Sequence, residues 1–362
     1  MRQEVKVRSS SLASPPTTVA GRPQALASPG HLRRLFPASA AGRQAIAATR
    51  DGAEAIVAAR DDRLLVVVGP CSIHDPVAAR HYAAELAPLA EKHEEELLLV
   101  MRTYLEKPRT KVGWKGFVND PKLDGSCDLA AGLEAARSLL VAIADTGLGA
   151  ASEVIDPAVA PYIEDLLSWV AIGARTSESQ LHRELASGLP MPVGFKNGTD
   201  GDMEGALCAM VAAASPHTRM TIDREGRAAV VRTPGNRSLH LVLRGGRTGP
   251  NHTEAHLRTT SVRAHSHGLL PRVMIDCSHQ NSGKRYERQP QIVADVCAQV
   301  AAGDGNLIGV MLESHLVAGR QDLTPGKSLT YGQSVTDGCI DLADTAACLE
   351  ALATAVRARR GL

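Results

Sequence analysis

Short, almost wholly apolar runs alternate along this chain with longer segments in which apolar residues recur every three or four positions. The runs are Leu64–Gly69, Leu97–Met101, Gly149–Ile155, Val170–Gly173, Pro192–Phe195, Leu239–Leu243, Arg272–Ile275 and Leu307–Leu312. Continuous apolar runs bounded by turn residues suit strands covered on both faces, as in a parallel sheet. The intervening segments Ala78–Lys92, Leu129–Asp145, Ala158–Leu167, Glu178–Ser187, Met203–Ala214, Thr253–His267, Gln289–Ala302 and Leu342–Arg359 carry helical spacing. Eight strand–helix units predict an α/β protein built as a closed (β/α)8 TIM barrel, rather than an open doubly wound sheet.

Three segments fall outside the repeat. Residues 1–60 read as an N-terminal arm with a helix over Ala41–Ala59, suited to oligomer or regulatory contacts, and 61–362 as the barrel that carries the chemistry. Residues 103–127 form a long loop after the second strand. Residues 218–231 read as a β-hairpin turning at Asp223-Arg-Glu-Gly226, inserted after the fifth barrel helix.

Composition narrows the function classes. Of 362 residues, 44% are hydrophobic, enough for a large core. Lys+Arg 40 against Asp+Glu 39, with aromatics at 3%, argues against a nucleic-acid or membrane-surface binder. No apolar stretch approaches the roughly 20 residues of a membrane span. Seven cysteines without paired spacing read as reduced thiols, which points to the cytoplasm. Cys127, Cys208, Cys297 and Cys348 receive no role. The Arg- and Ser-rich N-terminus, with Glu4 its one acid before Asp51, is read as an exposed arm in preference to a transit peptide.

In a barrel of this type chemistry sits where the strands end. Two groups gather there. Arg102, Lys107, Arg109, Arg175, Lys196 and Arg244 follow strands two, four, five and six. Six cations at one mouth repel each other unless an anion neutralises them, and Arg matches phosphate or carboxylate bidentately. The alternative reads each as a strand-end ion pair. The second group, Cys71, His279, Glu313 and Asp337, offers a thiolate, an imidazole and two carboxylates, a set suited to a borderline divalent metal such as Mn, Fe, Co or Zn. Taken singly, Cys71 reads equally as a small buried hydrophobe and His279 as a hydrogen-bonded surface residue. Together the groups predict metal-assisted chemistry on small phosphorylated anions.

The segments Gly69-Pro-Cys-Ser-Ile-His-Asp75, Lys107-Pro-Arg-Thr110 with Val112-Gly-Trp-Lys-Gly116, Gly173-Ala-Arg-Thr-Ser-Glu-Ser-Gln180, Pro192-Val-Gly-Phe-Lys-Asn-Gly-Thr-Asp200, Leu243-Arg-Gly-Gly246 and Ile275-Asp-Cys-Ser-His279 resemble type I DAHP synthase (3-deoxy-D-arabino-heptulosonate 7-phosphate synthase, phospho-2-dehydro-3-deoxyheptonate aldolase). The resemblance runs from about Leu35 to Gly361. It implies condensation of phosphoenolpyruvate with D-erythrose 4-phosphate, the first step of the shikimate pathway, by a metal-dependent homodimer or homotetramer. It implies metal ligation by Cys71, His279, Glu313 and Asp337, and phosphoenolpyruvate contacts from Arg102, Lys107, Glu153, Arg175, Lys196 and Arg244. Arg109 and Thr110 would hold erythrose 4-phosphate. Lys107 would donate a proton, with a pKa lowered by the surrounding Arg residues, and Glu153 would orient water or a Lys. Two other readings stay open: a sibling synthase using another phosphosugar aldehyde, or a non-catalytic regulatory binder.

The same resemblance places an aromatic-amino-acid inhibitor pocket beside the barrel, where the helices after strands three and four meet the hairpin and the arm. The matching positions include Pro157, Pro161, Pro190, Arg219 and Thr221. Pro lacks the donors that regulated members use there, and a cation at Arg219 replaces an apolar wall. Inhibition by phenylalanine or tyrosine is expected to be weak or absent.

Overall fold

The computed structural model describes residues 24–109, 113–324 and 326–361. The first 23 residues of the arm and Thr110 therefore lie outside it. The strands are β1 (Leu64–Gly69), β2 (Leu97–Arg102), β3 (Gly149–Glu153), β4 (Leu167–Ile172), β5 (Val193–Lys196), β6 (His217–Ile222), β7 (Ala228–Thr233), β8 (Leu239–Leu243), β9 (Val273–Asp276), β10 (Leu307–Glu313), β11 (Val317–Arg320) and β12 (Gln333–Ser334). The helices are α1 (Pro29–Leu35), α2 (Ala40–Val57), α3 (Pro76–Lys92), α4 (Leu129–Ala144), α5 (Ala160–Ile163), α6 (Gln180–Ala186), α7 (Glu204–Ala213), α8 (Glu254–Ser266), α9 (Gln289–Ala301) and α10 (Leu342–Arg360). Eight parallel strands close in the order β1-β10-β9-β8-β5-β4-β3-β2, which is the expected (β/α)8 barrel.

Side chains separate into two apolar layers. Leu65, Val67, Val100, Ala151, Trp169, Val242, Met274 and Met311 fill the barrel interior, and Ala53, Ile56 and Val57 of α2 join them. The arm helix thus plugs the amino-terminal end of the barrel. The opposite strand faces pack beneath the outer helices. Helix starts are set by side-chain caps. Asp75 accepts from the N–H of Val77 at 2.8 Å, Asp128 from Ala131 at 3.1 Å and Asp341 from Asp344 at 2.9 Å.

The hairpin β6–β7 is antiparallel and turns at Asp223, whose carboxylate accepts from the N–H groups of Glu225 and Arg227, both at 2.9 Å. Its tip touches α1, where the Gly30 N–H donates to the Arg224 carbonyl at 2.7 Å. A Cβ at Gly30 would sit 2.6 Å from that oxygen, so the contact requires glycine. Arg137 of α4 ties the arm to the barrel wall: it is buried, donates to the Leu32 and Tyr162 carbonyls, and forks onto Asp165 at 2.7 and 2.8 Å.

Three elements differ from the sequence expectation. The short helix α1 has too few turns to show a period. The helix expected to run to Leu167 instead ends at Ile163, gives way to a 3-10 turn over Glu164–Leu166, and β4 begins at Leu167. Ser168 hid the start of that strand: it interrupts the apolar pattern but is fully buried, with its hydroxyl directed at the Ile46 carbonyl of α2. The loop before Asp337 contains the two-stranded pair β11–β12, too short to signal itself.

Candidate active site at the carboxyl end of the barrel

The carboxyl ends of the strands bring the two predicted groups to one mouth. β1 and β10 pair with Gly69 opposite Glu313, so Cys71, two residues past β1, lies beside Glu313. The loop before α10 adds Asp337. One ligand atom from each of Cys71, Glu313 and Asp337 falls within 4.8 Å of the others. The Glu313 backbone is clamped by the buried Gln289 amide, which accepts from its N–H at 2.8 Å and donates to its carbonyl at 2.9 Å.

His279 stands at the edge of this trio rather than inside it. Its Nδ1 lies 2.9 Å from Asp276 Oδ2 and 2.7 Å from Ser278 Oγ. That leaves Nε2 facing Glu313 Oε1 at 3.9 Å. A carboxylate on Nδ1 fixes the tautomer whose Nε2 lone pair points outward, the arrangement of metal-binding imidazoles. His279 adopts a left-handed backbone, φ 50°, uncommon for a residue with a side chain. Burial, then the neighbouring Glu313 carboxylate, pushes the Cys71 thiol up. A buried sulfur beside two carboxylates, with an imidazole lone pair aimed at them, is a donor set that fits a divalent cation.

The cationic group lines an adjoining cavity of about 200 Å³. Its walls include Arg102, Lys107, Arg109, Arg175, Lys196, Arg244 and Lys284 against the carboxylates of Glu153 and Asp337. Ion pairing accounts for part of this charge. Lys196 Nζ donates to Asp276 Oδ2 at 3.0 Å, and Arg102 Nη2 to Glu313 Oε1 at 3.0 Å. The excess remains positive, as an anion site requires. Burial opposes ionisation of Asp276, but His279, Lys196 and Ser278 outweigh it and hold its carboxyl well below the usual range. Arg102 is fully buried, stacked 3.5 Å over the Tyr104 ring, and so links the cavity to the metal-type cluster. Glu153 reaches the cavity because Gly173 opposite has no side chain; a Cβ there would lie 2.1 Å from Glu153 Oε1.

Lys107 bridges the two groups, donating from Nζ to Cys71 Sγ at 3.2 Å and to the Cys71 carbonyl at 3.1 Å. Its expected lowered pKa is not found. Burial and Arg102 favour the neutral amine, but the Cys71 sulfur, Glu313 and Asp337 outweigh them and hold Lys107 above its usual value. Arg109 lies at the exposed rim, where its Nε donates to the Trp114 carbonyl at 2.6 Å.

Sequence reasoning missed several contributors. Lys284, Thr199 and Thr336 line the cavity, and Tyr104 lies beneath Arg102, Lys107 and Lys196. Asp276, an acid that closes a buried strand, is the counter-ion of Lys196 and His279. Glu106 is the least obvious. It is buried beside Lys107, and its Oε2 accepts from the N–H groups of Ile155 at 3.2 Å and Asp156 at 3.4 Å. It thereby pins the Lys107 loop to the end of β3, which carries Glu153.

Burial pushes the Glu106 carboxyl up to about 7. A raised folded-state value means a stability contribution fully present below the ordinary carboxyl pKa and lost as pH rises through about 7. Gln at this position keeps a carbonyl acceptor without the ionisation. Denaturation at pH 5 and pH 8 should therefore show the parent chain losing stability relative to Glu106→Gln; parallel pH profiles would sink this account.

Comparison with known proteins shows the family. A model of the DAHP synthetase I family matches residues 41–350. The chain is 51% identical over 333 residues to the phospho-2-dehydro-3-deoxyheptonate aldolase, Phe-sensitive, of Escherichia coli K12, covering 92% of this chain and 95% of that protein. It is 48% identical to the tyrosine-inhibited phospho-2-dehydro-3-deoxyheptonate aldolase of Schizosaccharomyces pombe, covering 91% of this chain and 90% of the relative. The solved phospho-2-dehydro-3-deoxyheptonate aldolase of Francisella tularensis SCHU S4 superposes with a TM-score of 0.93 at 44% identity, covering 95% of this chain and all of that one. With a family match over most of its length and relatives near half identity, the chain belongs to the DAHP synthetase I family.

Proposed function

We propose that this barrel mouth performs the family's reaction and assign its parts as follows. The chain is a 3-deoxy-7-phosphoheptulonate synthase. It condenses phosphoenolpyruvate with D-erythrose 4-phosphate and water, giving 3-deoxy-D-arabino-heptulosonate 7-phosphate and phosphate, at the entry to the shikimate pathway. The observation that carries the assignment is the cation-lined cavity abutting the Cys71–Glu313–Asp337 cluster.

Cys71, His279, Glu313 and Asp337 hold a divalent cation, Mn, Fe, Co or Zn. When bound, that ion supplies Lewis-acid stabilisation to the aldehyde oxygen of erythrose 4-phosphate. Arg102, Lys107, Arg175, Lys196 and Arg244 bind phosphoenolpyruvate, whose phosphate and carboxylate offset their mutual repulsion. Arg109 and Thr110 bind the sugar phosphate. The enol carbon of phosphoenolpyruvate forms the new C–C bond to the aldehyde carbon. Lys107, kept protonated by its acidic neighbours, delivers its proton to the developing alkoxide. Water, oriented by Glu153, adds to the resulting cationic C2, and phosphate departs by C–O cleavage. Arg175, Lys196 and Arg244 hold the phosphoryl group throughout.

The remaining assignments belong to the same proposal. Residues 1–60 serve oligomer or regulatory contacts around the catalytic barrel 61–362, whose hairpin is 218–231. The chain works in the cytoplasm as a homodimer or homotetramer, without a nucleic-acid partner. Near-neutral charge and seven free cysteines support that setting, and no described helix is long and apolar enough to cross a membrane.

The regulatory expectation now has a geometry. Pro161, Arg219 and Thr221 share a cavity of about 390 Å³ with Arg33 and Glu164, between arm and hairpin. Pro190 instead lines a separate groove beside α2, and Pro157 lines neither. The same wall carries Pro29, Ile222 and Val231, so the weak inhibition expected here rests on the Arg219 cation and on the missing donor at Pro161.

Three measurements test the proposal. Purified protein given both substrates and Mn2+ should form product, lose activity to EDTA and prefer erythrose 4-phosphate to arabinose 5-phosphate; no turnover with erythrose 4-phosphate would refute it. Arg175→Lys should raise the KM for phosphoenolpyruvate far more than that for erythrose 4-phosphate, since a point charge cannot replace a bidentate fork; equal shifts would overturn the roles. At subsaturating phosphoenolpyruvate, millimolar phenylalanine or tyrosine should inhibit weakly or not at all, whereas strong inhibition by either would show that the substituted positions leave a working effector pocket.

A further inference from the structure

Away from the barrel mouth, α7 and the end of α8 bring together three potential metal ligands. Glu204 opens α7, Cys208 lies one turn later, and His267 follows the last turn of α8. One donor atom from each falls within 4.8 Å of the others. His267 Nε2 is 2.9 Å from Glu204 Oε1, and Cys208 Sγ is 3.6 Å from the same oxygen. Zinc bonds of about 2.3 Å to sulfur and about 2.0–2.1 Å to nitrogen or oxygen, at tetrahedral angles, separate ligand atoms by roughly 3.3–3.6 Å. The sulfur–oxygen spacing already matches that geometry, and the imidazole–carboxylate pair, now at hydrogen-bond length, has only a few tenths of an ångström to open around a cation.

The ligand atoms are also pre-oriented. His267 Nδ1 lies 2.9 Å from the Arg263 carbonyl, which can only accept, so Nδ1 carries a proton. Nε2 then faces a carboxylate oxygen, which likewise only accepts. This contact needs either a second proton on the ring or a cation shared between the two atoms. Arg263 Nη2 donates to the other oxygen, Glu204 Oε2, at 2.6 Å, while its Nη1 reaches Asp202 at 3.0 Å. The carboxylate is therefore held from behind and presents Oε1 to the sulfur and the imidazole, as outer partners do in metal sites.

We propose that Glu204, Cys208 and His267 form a second cation site, distinct from the barrel mouth, that takes zinc or cadmium with a solvent position open. Binding replaces two protons, one from the imidazolium Nε2 and one from the thiol. Carboxylate, imidazolium and thiol sum to zero charge; a divalent cation with carboxylate, neutral imidazole and thiolate also sums to zero. The exchange leaves the Arg263 and Asp202 pairing undisturbed; burial and then Glu204 hold the Cys208 thiol up, against Arg183 of the neighbouring α6, so the incoming cation has to displace its proton. An occupied site crosslinks α7 to α8, the helices that follow β5 and β8 on the barrel wall.

Equilibrium dialysis of the full chain against Cd2+ at pH 8 tests this independently of the catalytic assignment. The parent chain should bind two equivalents, with a thiolate charge-transfer band for each. Cys208→Ser and His267→Gln should each bind one equivalent and keep parental synthase activity. Cys71→Ala should retain the equivalent lost in those variants, together with its thermal stabilisation by Cd2+. If Cys208→Ser and His267→Gln bind as much Cd2+ as the parent, or Cys71→Ala binds none, the second site does not exist. Failure of Cys71→Ala to lose metal would count against the barrel-mouth assignment alone.

Discussion

The pairing of β1 with β10 joins the first strand of the barrel to the last, and the site's geometry follows from it. Leu65 opposes Gly309, and Gly69 opposes Glu313. A Cβ at Gly309 would lie 1.9 Å from the Leu65 carbonyl, so the two strands can lie this close only where β10 has no side chain. That register sets Cys71 beside Glu313 across more than two hundred residues. Gly69 acts similarly toward the other neighbour, since a Cβ there would meet the Arg102 carbonyl at 2.7 Å. Closure thus brings β2 with Arg102, β1 with Cys71 and β10 with Glu313 into one corner of the mouth.

The same corner shows how a cluster of like charges is held in a folded chain. Arg102 and Lys196 are almost wholly buried, which would be prohibitive without compensation. Glu313 and Asp276 supply it, and the Tyr104 ring offers its negative face to Arg102. These acids serve the metal-type cluster as well: Glu313 directly, and Asp276 through His279. The cation-lined cavity and the Cys71–Glu313–Asp337 cluster therefore share counter-ions. Lys107, at their junction, responds to both, which explains why its charged form is favoured despite burial.

Much of this was legible in the chain. Eight apolar runs marked eight strands because each strand is covered on both faces, and the residue ending each run pointed to the mouth. What escaped did so for physical reasons. Ser168 broke the period of β4 because a buried hydroxyl can be satisfied by a distant carbonyl, here that of Ile46. Lys107 was misjudged because sequence proximity displayed its Arg neighbours, while Glu313 and Asp337 approach only through closure. Glu106 carried no signal, since its partners are backbone N–H groups of another strand's loop. Glu204, Cys208 and His267 converge only because α7 and α8 are neighbours across the hairpin insertion.

Barrel closure sets Cys71 beside Glu313 and Asp337, and the proposed reaction depends on the cation that this trio would hold. The most direct test replaces Cys71 with alanine and measures, on one preparation, metal retained at the barrel mouth, turnover with both substrates, and far-ultraviolet circular dichroism. Loss of that metal and of turnover is expected, with the barrel's circular dichroism unchanged. Wild-type turnover with undiminished metal in a folded Cys71→Ala chain would contradict it.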